Sequence, residues 1–198
     1  YTQGPQSRSH DFLVYSQVAT EHTTAFRYGT FAVRMKLQRA PGMHSAFWLL
    51  PVERAFVPDD PTQGTEVDVV EFFGRHGKGP GTIGSFVHYY DSEWNDVKLG
   101  RRWPRASKVL DRGEKWWEEF HVFSVEWSPT GYVFRVDGRE YHRETRAVSH
   151  VAQYLVLSMI PADYELHRLS RKGRDDTAQV DWVRVYDTSA SVRLTPGP

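Results

Sequence analysis

The amino-acid sequence predicts an all-β protein, and three observations carry that prediction. Short runs rich in Val, Phe, Tyr and Trp recur at fairly even spacing along most of the 198 residues. Clusters of Pro, Gly, Asp and Ser separate them. No segment holds a helical period over three turns. Many short strands with turns and no helices between them read as a β-sandwich or barrel. There is no internal repeat, low-complexity tract or linker, so residues 1–198 are expected to form one domain.

The predicted strands, in order, are 12–15, 25–37 with a break near Tyr28-Gly29, 45–50, 66–73, 83–90, 120–127, 132–136, 154–159 and 179–186. Turn chemistry sits between them: Ala-Pro-Gly at 40–42, Pro-Asp-Asp-Pro at 58–61, Ser-Pro-Thr-Gly at 128–131 and Asp137-Gly138. The last two join alternating runs and predict hairpins. The charged stretch 108–119 suits a short helix or a long loop, and Trp116-Trp117 make it more than a spacer.

Composition excludes several function classes. Lys+Arg 25 against Asp+Glu 25 gives a formal net charge of zero, which argues for neither a nucleic-acid nor an anionic-membrane partner. With Cys 0, disulfides, thiol nucleophiles and thiolate metal sites are ruled out. No run approaches the roughly 18–20 apolar residues of a membrane span. Aromatic residues at 14% suit either a large β core or a surface that stacks on sugar rings.

Residues 65–74, Thr-Glu-Val-Asp-Val-Val-Glu-Phe-Phe-Gly, carry the chemistry. Glu66, Asp68 and Glu71 interrupt a strand otherwise built of Val and Phe, where carboxylates lose hydration at a cost. Alternation puts Glu66 and Asp68 on one face, and Glu71, five residues beyond Glu66, on the other. A β-bulge within Val69-Val70 would return Glu71 to the acidic face. The competing readings for such a triplet are a solvated strand face or a cation site.

The run EVDVVE at 66–71 resembles the E-x-D-x-x-E signature of glycoside hydrolase family 16, in its bulged, laminarinase-like form. Further stretches resemble that family in family order: 26–36 (FRYGTFAVRMK), 45–51 (SAFWLLP), 120–127 (FHVFSVEW), 133–138 (VFRVDG) and 180–186 (VDWVRVY). The resemblance implies a β-jelly roll of two curved antiparallel sheets with glycan across the concave face. It implies an endo-acting, retaining hydrolase or transglycosylase of a β-linked polysaccharide, secreted and monomeric, that requires no cofactor. An endo-β-1,3- or β-1,3(4)-glucanase is expected first. Another cell-wall glycan of galactan type and a non-catalytic carbohydrate-binding jelly roll are the alternatives.

By position in the signature, Glu66 is the nucleophile, Asp68 the helper and Glu71 the general acid/base. Retaining enzymes need their two carboxyl groups about 5–5.5 Å apart, whereas five strand residues at roughly 3.3 Å each would separate them by far more. A bend at the bulge is therefore required. The resemblance places Trp48 beneath the sugar. Parity puts His88 and Tyr90 on the cleft side with Tyr89 in the core, and Trp94 and Trp103 are the loop tryptophans expected to stack on glycan. Trp127 and Trp182 read as core, and Arg27 and Arg34 as surface or structural. Ser158 stands where many relatives place a cleft asparagine, and 161–165 (PADYE) replaces a Gly- and Trp-containing loop. His44 occupies the place of an aromatic sugar platform, a departure that puts laminarin as substrate in doubt. The chain also begins without the Asp-rich segment common at the start of relatives. A structural calcium, where present, is expected at Asp181.

Overall fold

The computed structural model describes residues 16–74, 81–111, 113–161, 176–187 and 190–193. The predicted strand at 12–15 and most of the loop at 161–165 lie outside them. Among the described residues thirteen strands are formed: β1 Ser16–Ala19, β2 Thr24–Arg27, β3 Gly29–Lys36, β4 Met43–Pro51, β5 Glu66–Phe72, β6 Ile83–Tyr90, β7 Asp96–Trp103, β8 His121–Ser128, β9 Gly131–Val136, β10 Arg139–Glu144, β11 Gln153–Pro161, β12 Gln179–Tyr186 and β13 Ala190–Arg193. They pair antiparallel in two sheets. The larger runs β13-β2-β11-β4-β5-β6-β7 with β1 beside β11, and the smaller runs β10-β9-β8-β3-β12. The expected all-β jelly-roll sandwich is what the chain forms.

The break at Tyr28-Gly29 is where the chain changes sheets. Tyr28 takes φ 58° and Gly29 φ 113°, and this corner sends β2 into the larger sheet and β3 into the smaller one. Both predicted hairpins form, with Ser128 opposite Gly131 and Val136 opposite Arg139. In the second, Asp137 and Gly138 both have positive φ, 48° and 78°, as a two-residue turn matched to strand twist demands.

Between the sheets lies one apolar cluster. It includes Val67, Val69, Val70 and Phe72 of β5, Phe47 and Leu49 of β4, Phe31 and Val33 of β3, and Phe123 and Val125 of β8. Trp116 is fully buried in it and donates from Nε1 to Gly81 O at 3.3 Å. The stretch 108–119 is therefore a packed loop, entered through a 3-10 turn at Pro104–Val109. Trp127 is core, as expected. Trp182 is not. A register shift between Val180 and Trp182 sends Val183 and Val185 toward the core and leaves Trp182 half-buried under the Arg184 guanidinium, 4.4 Å from its ring.

Candidate active site

Strand β5 lies deep in the larger sheet, flanked by β4 and β6. Against β4, Trp48 stands opposite Asp68 and Phe47 opposite Val70, which skips Val69. Against β6, Asp68 opposes Phe86 and Glu71 opposes Gly84, so Val69-Val70 face the single residue Ser85. That is the bulge at the predicted position. Its effect on parity is visible in burial. Val67 and Val69 before it, and Val70 and Phe72 after it, all point into the core. Glu66, Asp68 and Glu71 are thereby gathered on the other face.

Polar groups on the core side fix this strand at three points. At its start, Tyr132 Oη meets Thr65 Oγ1 at 3.1 Å and accepts from Ser149 N at 2.9 Å, while Gln153 Nε2 donates to Thr65 O. At the bulge, Ser85 Oγ donates to Val69 O at 2.8 Å, with Tyr141 Oη 2.5 Å from Ser85 Oγ. At its end, Gln38 Nε2 donates to Phe72 O at 2.8 Å and Ser45 Oγ donates to Gln38 Oε1 at 2.5 Å. A buried carbonyl without such a partner would cost about 1–3 kcal/mol. These pins hold a distorted strand in one shape.

On the acidic face, His88 lies opposite Glu66 on β6. Its Nε2 is 3.3 Å from Asp68 Oδ2, and its Nδ1 sits 2.8 and 3.1 Å from the two oxygens of Asp96 on β7. His44 Nε2 on β4 is 2.9 Å from Glu71 Oε1, an ion-pair contact poorly aligned for a hydrogen bond. The His44 ring stacks on Phe73 at 4.3 Å. Lys98 Nζ on β7 is 3.9 Å from Glu71 Oε2 and 3.6 Å from the Phe86 ring centroid. At Gly100 (φ +101°) β7 comes so close to β6 that a Cβ would stand 2.2 Å from Ser85 O, so only glycine fits there.

The carboxyl groups differ in proton affinity. Burial, then the charge of Asp68, pushes Glu66 up to about 8. Burial, then Glu71, raises Asp68. Burial also works to raise Glu71, but the contact with His44, with Lys98 and His88 behind it, brings Glu71 below the ordinary carboxyl value. Burial opposes charge on His88, yet Asp68, Glu66 and Asp96 outweigh it and lift the imidazole to about 9.

A family description, Glycosyl hydrolases family 16, matches residues 9–184. The chain belongs to this family. Among relatives, a glucan endo-1,3-beta-glucosidase of Niallia circulans is 26% identical over 195 residues, covering 86% of this chain and 26% of the relative. An endo-1,3-1,4-beta-glycanase of Rhizobium meliloti is 26% identical over 198 residues, covering 96% of this chain and 37% of the relative. The chain thus spans about a quarter to two fifths of the length of these curated relatives. Among solved structures, the catalytic domain of an endo-1,3-beta-glucanase (laminarinase) from Thermotoga petrophila superposes with TM-score 0.67 at 23% identity, over 88% of this chain and 69% of that one. Its likeness supports the shared fold.

Within this family-16 fold, most of the candidate residues meet on one face. Trp48 donates from Nε1 to Ser158 Oγ at 3.0 Å, so these two form a pair beside Asp68. Tyr90 lies on the cleft side of β6, 5.2 Å from Phe56 and 5.7 Å from Trp94 between ring centroids. Trp94 is 60% exposed. Tyr89 packs on the core.

Trp103 corrects the expectation. It pairs with Ile83, whose side chain is core, and it stacks on His142 at 4.3 Å and meets Tyr141 edge-on at 6.1 Å. Parity sends it between the sheets, where it joins β7 to β10. Trp116 and Trp117 are packing residues as well. Asp181 receives Arg34 Nη1 at 2.5 Å. A carboxylate so neutralised does not fit a calcium ion, which needs several oxygen donors. Reading the sequence alone missed Lys98 and Asp96, because all of β7 was passed over. Its Asp-Val-Lys-Leu alternation was the signal.

Among the described residues no helix is long and apolar enough to cross a membrane.

Proposed function

We propose that this chain is the catalytic module of a retaining, endo-acting β-glucanase that cleaves β-1,3 or mixed β-1,3/1,4 linkages. The observation that carries the reading is the bulge, which turns Glu71 onto the face of Glu66 and Asp68 beside the Trp48–Ser158 pair. A sandwich gains nothing in stability from gathering three desolvated acids; a double displacement needs two of them side by side. The names of the family relatives, glucan endo-glucosidase and beta-glycanase, point the same way.

In the first step Glu66 attacks the anomeric carbon while Glu71 gives its proton to the leaving oxygen. In the second, ionised Glu71 takes a proton from water, which releases the sugar from Glu66. Without substrate, burial and Asp68 favour the protonated form of Glu66, whereas His44 and Lys98 favour the ionised form of Glu71. The first step therefore requires the proton shared among these coupled acids to be on Glu71. Glu71 Oε2 has no hydrogen-bond partner, only Lys98 at 3.9 Å, so it is the oxygen open to a leaving group. The pairing with His44 and Lys98 favours the ionised form that the second step uses.

His44 also favours a second reading, in which the same chemistry acts on another cell-wall glycan of galactan type. An imidazole engaged with Glu71 replaces an aromatic platform, and the sugar on the leaving side must fit against it. Because such polymers lie outside the cell, we read the protein as secreted, and as acting as a monomer.

A reducing-sugar assay on laminarin, lichenan, carboxymethylcellulose, agarose and a β-galactan tests the reading, with Glu66→Gln beside the wild type. Activity on the first two, absent in Glu66→Gln, is expected. Activity confined to the galactans selects the second reading. Wild-type turnover that survives Glu66→Gln removes Glu66 as nucleophile.

A further inference from the structure

The acidic face has a feature that hydrolysis does not require. Glu66, Asp68 and His88 place one donor atom each within 4.8 Å of one another. Two of them are carboxylates and the third an imidazole. Asp68 is only 3% exposed, and its Oδ2, aimed into the group, has no hydrogen-bond partner. His88 Nδ1 is held at 2.8 Å by Asp96. That contact fixes the ring so that Nε2 faces Asp68 Oδ2 at 3.3 Å.

A carboxylate behind a histidine whose other nitrogen points into a donor set is the arrangement that orients imidazole ligands in zinc proteins. Three protein ligands with a remaining position open to solvent is likewise a common zinc geometry. We propose that Glu66, Asp68 and His88 form a binding site for a divalent transition cation of the zinc class, oriented by Asp96. The mixture of one nitrogen and two oxygens suits zinc better than calcium or magnesium, which prefer all-oxygen shells. Zinc at about 2.0–2.2 Å from each donor requires the three atoms to draw in slightly from their present spacing. On binding, His88 gives up its Nε2 proton and Glu66 its carboxyl proton, both to solvent. The ion then takes the place of those protons as the positive charge between the two carboxylates. Because Glu66 is also the proposed nucleophile, an occupied site blocks hydrolysis reversibly. That consequence rests on the proposed function; the binding does not.

The test is equilibrium dialysis of the full chain against zinc alone, with folding checked by circular dichroism, and visible absorption after loading with cobalt. One zinc per chain is expected, with cobalt bands of a four-coordinate nitrogen–oxygen site. Asp96→Asn should weaken binding by about 10–100-fold, and His88→Asn should abolish it along with the cobalt spectrum. His121→Asn, which alters a histidine bonded to Asp137 on the other sheet, should change nothing. No binding at millimolar zinc, or binding unaltered in both Asp96→Asn and His88→Asn, overturns the site. Binding as expected without loss of activity leaves the site standing and removes Glu66 as nucleophile.

Discussion

Glu144 on β10 and Asp68 on β5 are each 3% exposed, Glu144 just beneath the surface and Asp68 deep in the fold, and they are treated in opposite ways. Glu144 Oε1 accepts from Thr145 N, Arg146 N and Arg146 Nε, each at 2.9 Å, and Oε2 accepts from Arg146 Nη2 at 2.6 Å. Burial alone would raise its proton affinity, but the Arg146 bonds lower it. Asp68 keeps an oxygen without a hydrogen bond, and its proton affinity goes up. A carboxylate that holds a fold together has its lone pairs filled by neighbours. One that meets a substrate or an ion has them left open, and the surrounding structure bears the cost.

The largest effect expected from this contrast is a crossing of phenotypes. Glu66→Gln should lower kcat by roughly 10⁴–10⁶-fold, as loss of a nucleophile does, without lowering the melting temperature at neutral pH, since burial already favours the uncharged form of Glu66. Glu144→Gln should leave kcat alone. It weakens the pairing with Arg146 and sets an amide where a carboxylate accepts four bonds, a loss of about 1–3 kcal/mol and so a Tm lower by roughly 2–4 °C per kcal/mol for a chain of this size. Steady-state kinetics and thermal melts on both variants check the pair. If Glu144→Gln lost activity or Glu66→Gln lost stability, the division between filled and open carboxylates would fail.

How much of this was legible beforehand follows the same division. The acids, the bulge and the strand parity were readable because they are periodic features of one strand, and a departure from period two can be counted. The sheet order around them followed only from a family resemblance. The pins at Thr65, Ser85 and Gln38 were not readable, since each joins residues far apart in the chain; Tyr141 reaches Ser85 across the sandwich. Trp103 was misplaced for a related reason. Its ring looked like loop aromatic until pairing with Ile83 showed which face it takes. Lys98 and Asp96 escaped notice because a strand with Lys, Arg and Asp on its exposed side offers little apolar signal.

A smaller effect is the pH dependence of stability, which should have opposite signs at the two sites. Glu66 rises from 4.5 to about 8 on folding, so the native state holds a proton that the unfolded chain has released. Stability therefore falls as pH rises through that window. His88, raised from 6.5 to about 9, contributes stability below the lower value and loses it through the upper one. Glu144, lowered on folding, contributes above 4.5 and loses its contribution as pH falls. Urea midpoints across the acid and neutral range should show Glu66→Gln removing the decline between about 4.5 and 8, with the later His88 decline remaining. Glu144→Gln should instead flatten the acid limb.

The smallest effect probes whether the bulge is held by the core side or by the acids themselves. Ser85 Oγ, Tyr141 Oη and Val69 O make three contacts, with Tyr141 Oη 3.3 Å from the carbonyl, yet the two hydroxyls carry only two protons. Either Ser85 donates to the carbonyl and Tyr141 to Ser85, or Tyr141 donates to the carbonyl and Ser85 to Tyr141. Removing one hydroxyl leaves the other free to cap Val69 O, so Tyr141→Phe and Ser85→Ala should each cost about 0.5–1.5 kcal/mol. The double variant orphans a buried carbonyl, and its loss should exceed the sum of the two. Should the bulge then relax, Glu71 would turn from the acidic face, and kcat would fall in the double variant while each single one keeps most of its activity. A strictly additive cycle in both stability and kcat would show that the bulge does not depend on this pair and is kept by the sheet register around it.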